Sequence, residues 1–271
     1  MREFKSQVGF LTFAQNNSTT DYLNLAYQQA VNIKKTQKIN QYAVIVDETT
    51  AKLITDEHKK TFDHIITLSQ DCATADEWKL SNEWQVFNLT PFKETIKVES
   101  DLLFTRDISH WIHALRLKDL CFSYHCRDHK GFIKETTDYR RVFTANDLPD
   151  IYTGMYYTRY SQTSADFFKL SKQIYLNWDT VKTQLIQCDD RPTTDVVFAL
   201  AAKILSKENC IIPSLEFFNF VHMKSAVQGW NDQQPWTDYV NVERDENMLR
   251  INNLNQYNPV HFYQKDFYEQ R

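Results

Sequence analysis

Apolar residues recur along this chain with two different periods. Gln7–Gln15 (QVGFLTFAQ) is a near-continuous apolar run with polar flanks, as expected of a parallel strand buried on both faces. A polar loop, Asn16–Thr20, leads to Asp21, a helix-capping residue. Tyr22, Leu23, Leu25, Ala26, Tyr27, Ala30, Val31 and Ile33 then fall at helical spacing. Lys34, Lys35 and Lys38 follow at the carboxyl end of that helix, where the dipole favours cations. Gln41–Val46 and His64–Leu68 read as further strands, with a short helix over Thr55–Lys60 between them. Strand, helix, strand, helix, strand at this spacing predicts an open parallel sheet.

The pattern continues in the second part of the chain. Asp76–Leu89 is aromatic-rich and mostly helical until Thr90-Pro91-Phe92 breaks it. Thr95–Val98 is a short strand, Ile108–Leu117 an amphipathic helix and Leu120–Tyr124 another strand. Tyr152–Tyr160 is a strand containing Gly154, a residue that in such a place permits either a bulge or the close approach of a ligand. Ala165–Trp178 is helical, and Arg191–Asp195 caps an apolar helix over Val196–Leu205. Ile211-Ile212-Pro213 reads as a late strand. From Asn241 onward a tail carries Tyr257, Phe262, Tyr263, Phe267 and Tyr268 and is expected to wrap the surface. The fold class is therefore α/β with a mostly parallel central sheet. It forms one compact domain over residues 1–240, with an extension over 241–271 packed on it.

Composition changes this picture little. The chain has 271 residues, 42% of them hydrophobic, and only 4 Gly and 6 Pro, which allows a large core and no flexible linker. A net charge of −4 argues against a protein that coats polyanions, although a local basic groove is compatible with it. No apolar run reaches the roughly 18 residues of a membrane span. The opening MREFKSQ runs straight into the first strand, so no signal peptide is expected. The five cysteines, Cys72, Cys121, Cys126, Cys188 and Cys210, contain no CxxC pair, and a cytoplasmic protein with free thiols is expected. Cys121, His125, Cys126 and His129 lie close in sequence, but their spacing fits no common zinc module.

The chemistry is concentrated where Thr95–Val98 runs into Glu99-Ser100-Asp101. Residues two apart on a strand point to the same side, so both carboxylates project at its carboxyl end. Open α/β sheets bind ligands at that edge. Paired hard oxygen ligands there suit a divalent cation that neutralises a diphosphate. Solvated acids at an ordinary strand end have the same pattern. Asp195 is likewise a helix cap or a functional carboxylate on its own evidence.

Five signals in order resemble the glycosyltransferases of the A fold, most closely the glycogenin-like retaining group. They are the Gln7–Gln15 strand, the acid-x-acid triplet, the Gly154 strand, Asp195 opening an apolar helix, and His222–Trp230, which loosely echoes a His-x-x-Gly-x-x-Lys-Pro-Trp element. The wording around NEWQVFNLTPFKETIKVESDLLF, with TDVVFALA and HMKS-x-x-QGW, is also similar to compact glycosyltransferase-like proteins of tailed phages. The resemblance covers most of residues 7–230. It departs in two places: Glu99 stands where the family has Asp, and Lys224 directly follows Met223.

The resemblance implies a Rossmann-like glycosyltransferase fold and transfer from a nucleotide-sugar donor, with UDP as the nucleotide. It implies Mn²⁺ or Mg²⁺ held by Glu99, Asp101 and His222, and Lys224 on the β-phosphate. Thr12, Phe13 and Ala14 would meet the base, and Trp230 would close the donor site. Lys79 and Asn82 would face the donor sugar. Asp195 would lie beside the anomeric carbon, orienting the sugar or acting as a base. The leading acceptor is hydroxymethylcytosine in phage DNA, with Gly154, Tyr152, Tyr156, Tyr157, Tyr160 and Arg159 beside an extruded base and Arg127, Arg140 and Arg141 on phosphates. The alternatives are a glycan or protein acceptor, or an inactive sugar-nucleotide-binding module.

Overall fold

A computed structural model of the chain describes residues 3–73, 77–125, 127–134, 140–206, 218–231, 233–245 and 248–268. Six strands build the central sheet: β1 (Ser6–Phe13), β2 (Tyr42–Val46), β3 (His64–Thr67), β4 (Phe92–Val98), then β6 (Leu120–Tyr124) and β7 (Ile151–Arg159), with a two-residue β5 (Leu102–Leu103) lying outside it. Their order is β3-β2-β1-β4-β7-β6. β7 runs antiparallel to both of its neighbours and the remaining pairings are parallel, so five strands point one way.

Both faces of this sheet are covered, which explains the continuous apolar runs. Phe10, Tyr42, Val44, Ile96 and Val98 pack towards the helix Tyr22–Thr36 on one face. Leu11, Ala43, Ile45, Phe122 and Tyr156 pack on the other face under the helices Gln162–Leu176 and Thr194–Ile204. Asp21 caps the first long helix by accepting the Asn24 N–H, and Lys34 and Lys35 lie in its last turn. The stretch expected to be helical before the break is a 3-10 turn, Lys79–Gln85, followed by one α-turn, Val86–Leu89. The helix expected over Ile108–Leu117 is confined to Trp111–Leu115. The expected strand at Ile211–Pro213, together with Cys126 and Cys210, lies outside the described residues. No helix among the described residues is long and apolar enough to cross a membrane.

Gly9 in β1 packs directly against the Phe92 ring of the neighbouring β4. A Cβ there would overlap the Phe92 ring, which is fully buried. Gly9→Ala should therefore destabilise the protein by about 1–3 kcal/mol through overpacking, as read by denaturant unfolding. A neutral substitution would show that the ring can move.

The tail does more than wrap the surface. β9 (Val242–Arg244), β10 (Leu249–Ile251) and β11 (Leu254–Asn255) make a small antiparallel sheet. β12 (Val260–His261) then inserts between β5 and β8 (Val221–His222), antiparallel to the first and parallel to the second. This threads the tail into the carboxyl edge of the central sheet.

Candidate functional site

The carboxyl ends of β1 and β4 open into a cleft of about 740 Å³. Gln29, buried on the first long helix, braces the acid-x-acid turn by donating to the Glu99 carbonyl at 2.5 Å and the Leu102 carbonyl at 2.8 Å. Thr12 Oγ1 donates to the Val98 carbonyl at 2.8 Å, and the Glu99 N–H donates to the Gly154 carbonyl at 2.9 Å. These bonds hold the acid-x-acid turn in place between β1, β4 and β7.

Glu99, Asp101 and His261 each offer a ligand atom, and the three atoms lie within 4.8 Å of one another. His261 Nε2 stands 3.1 Å from Glu99 Oε2 and 3.0 Å from Asp101 Oδ1. Lys265 Nζ occupies the other Asp101 oxygen at 2.5 Å. Burial alone would push the Asp101 carboxyl up, but the His261 and Lys265 charges outweigh it and hold it well below the usual carboxylate range. Burial likewise opposes charge on His261, and Asp101 and Glu99 overcome it, so that its imidazole is shifted upward. Two carboxylate oxygens and one imidazole nitrogen are a donor set that fits Mn²⁺, or Mg²⁺ less closely.

The third member of this group is His261, whereas the sequence pointed to His222. The two histidines are register partners on adjacent strands and stack with centroids 4.5 Å apart. β12 is the strand that pairs with β5, directly after Asp101, and the Phe262 N–H donates to the Asp101 carbonyl at 3.1 Å. His222 therefore sits one strand further out, and it too lines the cleft. It is buried, and burial followed by the like charge of His261 pushes its imidazole well down. The missed signal is a repeated Val-His, at 221–222 and 260–261, with Lys265 four residues after the second.

Asp195 also reaches the cleft, from the first turn of the helix Thr194–Ile204. Its Oδ1 accepts from Thr153 N at 2.8 Å and Thr153 Oγ1 at 2.6 Å, and its Oδ2 accepts from Arg140 Nη1 at 2.6 Å. Thr12, Phe13, Lys79, Gly154 and Lys224 line the cleft as expected positions of a binding site. Lys79 Nζ donates to the Ala73 carbonyl at 2.9 Å. A Cβ on Gly154 would stand 2.9 Å from Phe220 and 3.5 Å from Glu99 Oε2, so the glycine admits those side chains.

Other expected site residues lie elsewhere. Ala14 is buried in the core, and Asn82 is buried and committed to Cys72, Gln15, Asp71 and Gln85. Trp230 stacks on Tyr239 outside the cleft. Of the expected aromatic acceptor patch, Tyr152 lines the cleft and the others do not. Tyr156 and Tyr157 point to opposite faces of β7, and both are sealed in the core because both faces are covered. Arg159 pairs with Asp119 at 2.5 Å, and Tyr160 stacks on Phe87. Since β7 is antiparallel to β4, its carboxyl end lies beside Glu94, at the edge away from Glu99. Arg140 does line the cleft, but as a buried guanidinium and not an exposed phosphate anchor. Arg141 is exposed beyond the cleft, and Arg127 donates to the Gly131 carbonyl.

No protein-family model matches the sequence, and no curated protein matches it. Among solved structures, the apo form of mouse xyloside xylosyltransferase 1 superposes with a TM-score of 0.52, over 94% of this chain and 97% of that one, at 9% identity. The chain has the glycosyltransferase A fold. A galactosyltransferase, LgtC, solved with donor and acceptor sugar analogues, gives a TM-score of 0.45 over 71% of this chain and 70% of that one, at 12% identity. In the A fold seen here, the acid-x-acid turn, the Asp195 helix and the inserted tail strand meet at one sheet edge.

Proposed function

We propose that this chain transfers a sugar from a nucleotide-sugar donor, with UDP as the nucleotide, to an acceptor hydroxyl. The observation that carries the reading is the convergence of Glu99, Asp101 and His261 at the carboxyl edge of a glycosyltransferase A sheet, inside a cleft large enough for such a donor. A bound Mn²⁺ or Mg²⁺ would supply positive charge against the diphosphate as the sugar departs. Glu99, Asp101 and His261 would hold that cation. Lys224 and Lys265 flank the Tyr263 ring, 5.3 and 5.6 Å from its centroid, and bring two further cations to the same rim. Thr12 and Phe13 would wall the nucleoside, and Lys79 with Gly154 the sugar.

Asp195 suits an orienting role better than that of a base, because three donors already hold its oxygens. That supports a retaining course, in line with the glycogenin-like resemblance. Hydroxymethylated phage DNA is an acceptor to be tested, beside glycans and proteins. The buried Tyr156, Tyr157 and Arg140 lend it no stacking or phosphate contacts.

A Mn²⁺ titration tests the ligand set. His261→Ala should weaken Mn²⁺ binding by more than about a hundredfold. His222→Ala, altering only a neighbour of a ligand, should cost about tenfold or less. The reverse ranking would return the ligand role to His222. A panel of UDP-sugars should release UDP slowly when Mn²⁺ is present. No release from any of them would favour an inactive binding module.

A further inference from the structure

Arg140, in the lining of the cleft, is held on every side. Its guanidinium lies between two rings, 3.6 Å from the Phe143 centroid and 4.0 Å from that of Tyr152. Nε donates to Asp150 Oδ1 at 2.6 Å, Nη1 donates to Asp195 Oδ2 at 2.6 Å, and Nη2 donates to the Ile151 carbonyl. The planar fork is thus fixed in position by its faces as well as its edges, which a lysine cannot reproduce.

The consequence falls on Asp195. A carboxylate has about four lone-pair sites. Thr153 takes two through Oδ1, and Arg140 takes one through Oδ2. Among the described residues one site remains, on an oxygen whose side chain is one-fifth exposed and lines the cleft. The neighbourhood is acidic: Glu83 and Glu99 line the same cleft, and Asp195 acts electrostatically on Glu83. Arg140 is the cation at hydrogen-bonding distance from Asp195 in this setting.

We propose that Arg140 is a positioning residue, which orients Asp195 so that its one remaining lone pair accepts a single hydroxyl of the transferred sugar. The proposal rests on the nucleotide-sugar reading above. Arg140 itself touches no substrate in it. The competing role is a purely structural staple between the Asp195 helix and β7.

Asp150 separates the two. It binds the same guanidinium but lies outside the cleft lining. Four variants are compared, Arg140→Lys, Asp195→Asn, Asp150→Asn and the Arg140→Lys/Asp195→Asn double. The readouts are melting temperature, calorimetric affinity for UDP and for the UDP-sugar with Mn²⁺, and kcat of donor hydrolysis. Arg140→Lys should leave UDP affinity within about threefold and lower kcat about tenfold or more, the scale of one lost hydrogen bond to a charged group. The double variant should be no slower than Asp195→Asn, because both act through one carboxylate. Asp150→Asn should lower the melting temperature yet keep kcat within about threefold. If Arg140→Lys does not fold, Thr153→Val removes another donor to Asp195 and should also lower kcat several-fold with UDP affinity retained. Multiplying effects in the double variant, or a kcat that follows melting temperature through Asp150→Asn, would overturn the proposal. Failure of the unaltered protein to bind UDP at all would instead overturn the nucleotide-sugar reading, and this inference with it.

Discussion

Asp101→Asn is expected to abolish divalent-cation binding and to lower sugar transfer at least about a hundredfold, the cost of removing a central electrostatic stabiliser. Asp101 is buried, with one oxygen against His261 and the other against Lys265. Asparagine keeps the shape and removes the charge. His261 then loses the partner that most raises its proton affinity, and Lys265 faces a neutral amide in a half-buried setting. Glu99 and His261 alone offer two ligands, which is too few for tight binding. Isothermal titration with Mn²⁺, beside donor hydrolysis, reads both effects. An Asn variant that binds Mn²⁺ as the parent does would remove Asp101 from the ligand set.

The largest loss of stability is expected from Lys97→Met. Lys97, on β4, is 2% exposed and pairs with Glu83 at 2.7 Å, itself 5% exposed. Burial pushes the Glu83 carboxyl up, and Lys97 offsets part of that push. Breaking a buried pair from one side leaves the other group uncompensated, at a cost of about 3–5 kcal/mol. Among the described residues, Glu83 Oε2 has no hydrogen-bond partner. The melting temperature should fall by roughly ten degrees. The Lys97→Met/Glu83→Leu double variant should recover most of that loss, because well-packed apolar residues replace such pairs at little cost. A single variant that loses less than about 1 kcal/mol would show that water reaches Glu83 from the cleft.

The sheet was legible because burial on both faces writes itself into continuous runs such as QVGFLTF and YAVIV. Strand direction was not. Nothing local in YTGMYYTR says that β7 runs against β4, and that reversal moves Arg159 to the edge away from the acids. The aromatic-rich wording suggested a stacking surface, yet a central strand buries alternate side chains on both faces, and Tyr156 and Tyr157 are lost to the core. The acid pair was readable from its place at the end of a strand, although β4 stops at Val98 and a turn, not strand alternation, brings Glu99 and Asp101 together. The histidine that stands against both acids is one strand away from the one expected, since His222 and His261 lie 39 positions apart and only the parallel pairing of β8 with β12 makes them neighbours. The partners of Arg140 were invisible for the same reason: Asp195 reaches it across 55 positions of sequence.

The most direct test is calorimetry of a UDP-sugar on the unaltered protein, with Mn²⁺ and with the metal chelated, repeated on Asp101→Asn. Transfer chemistry at this cleft predicts donor binding that needs Mn²⁺ and disappears in the variant. Donor binding that is equally tight with metal, without it and in Asp101→Asn would contradict a metal-assisted site at Glu99, Asp101 and His261.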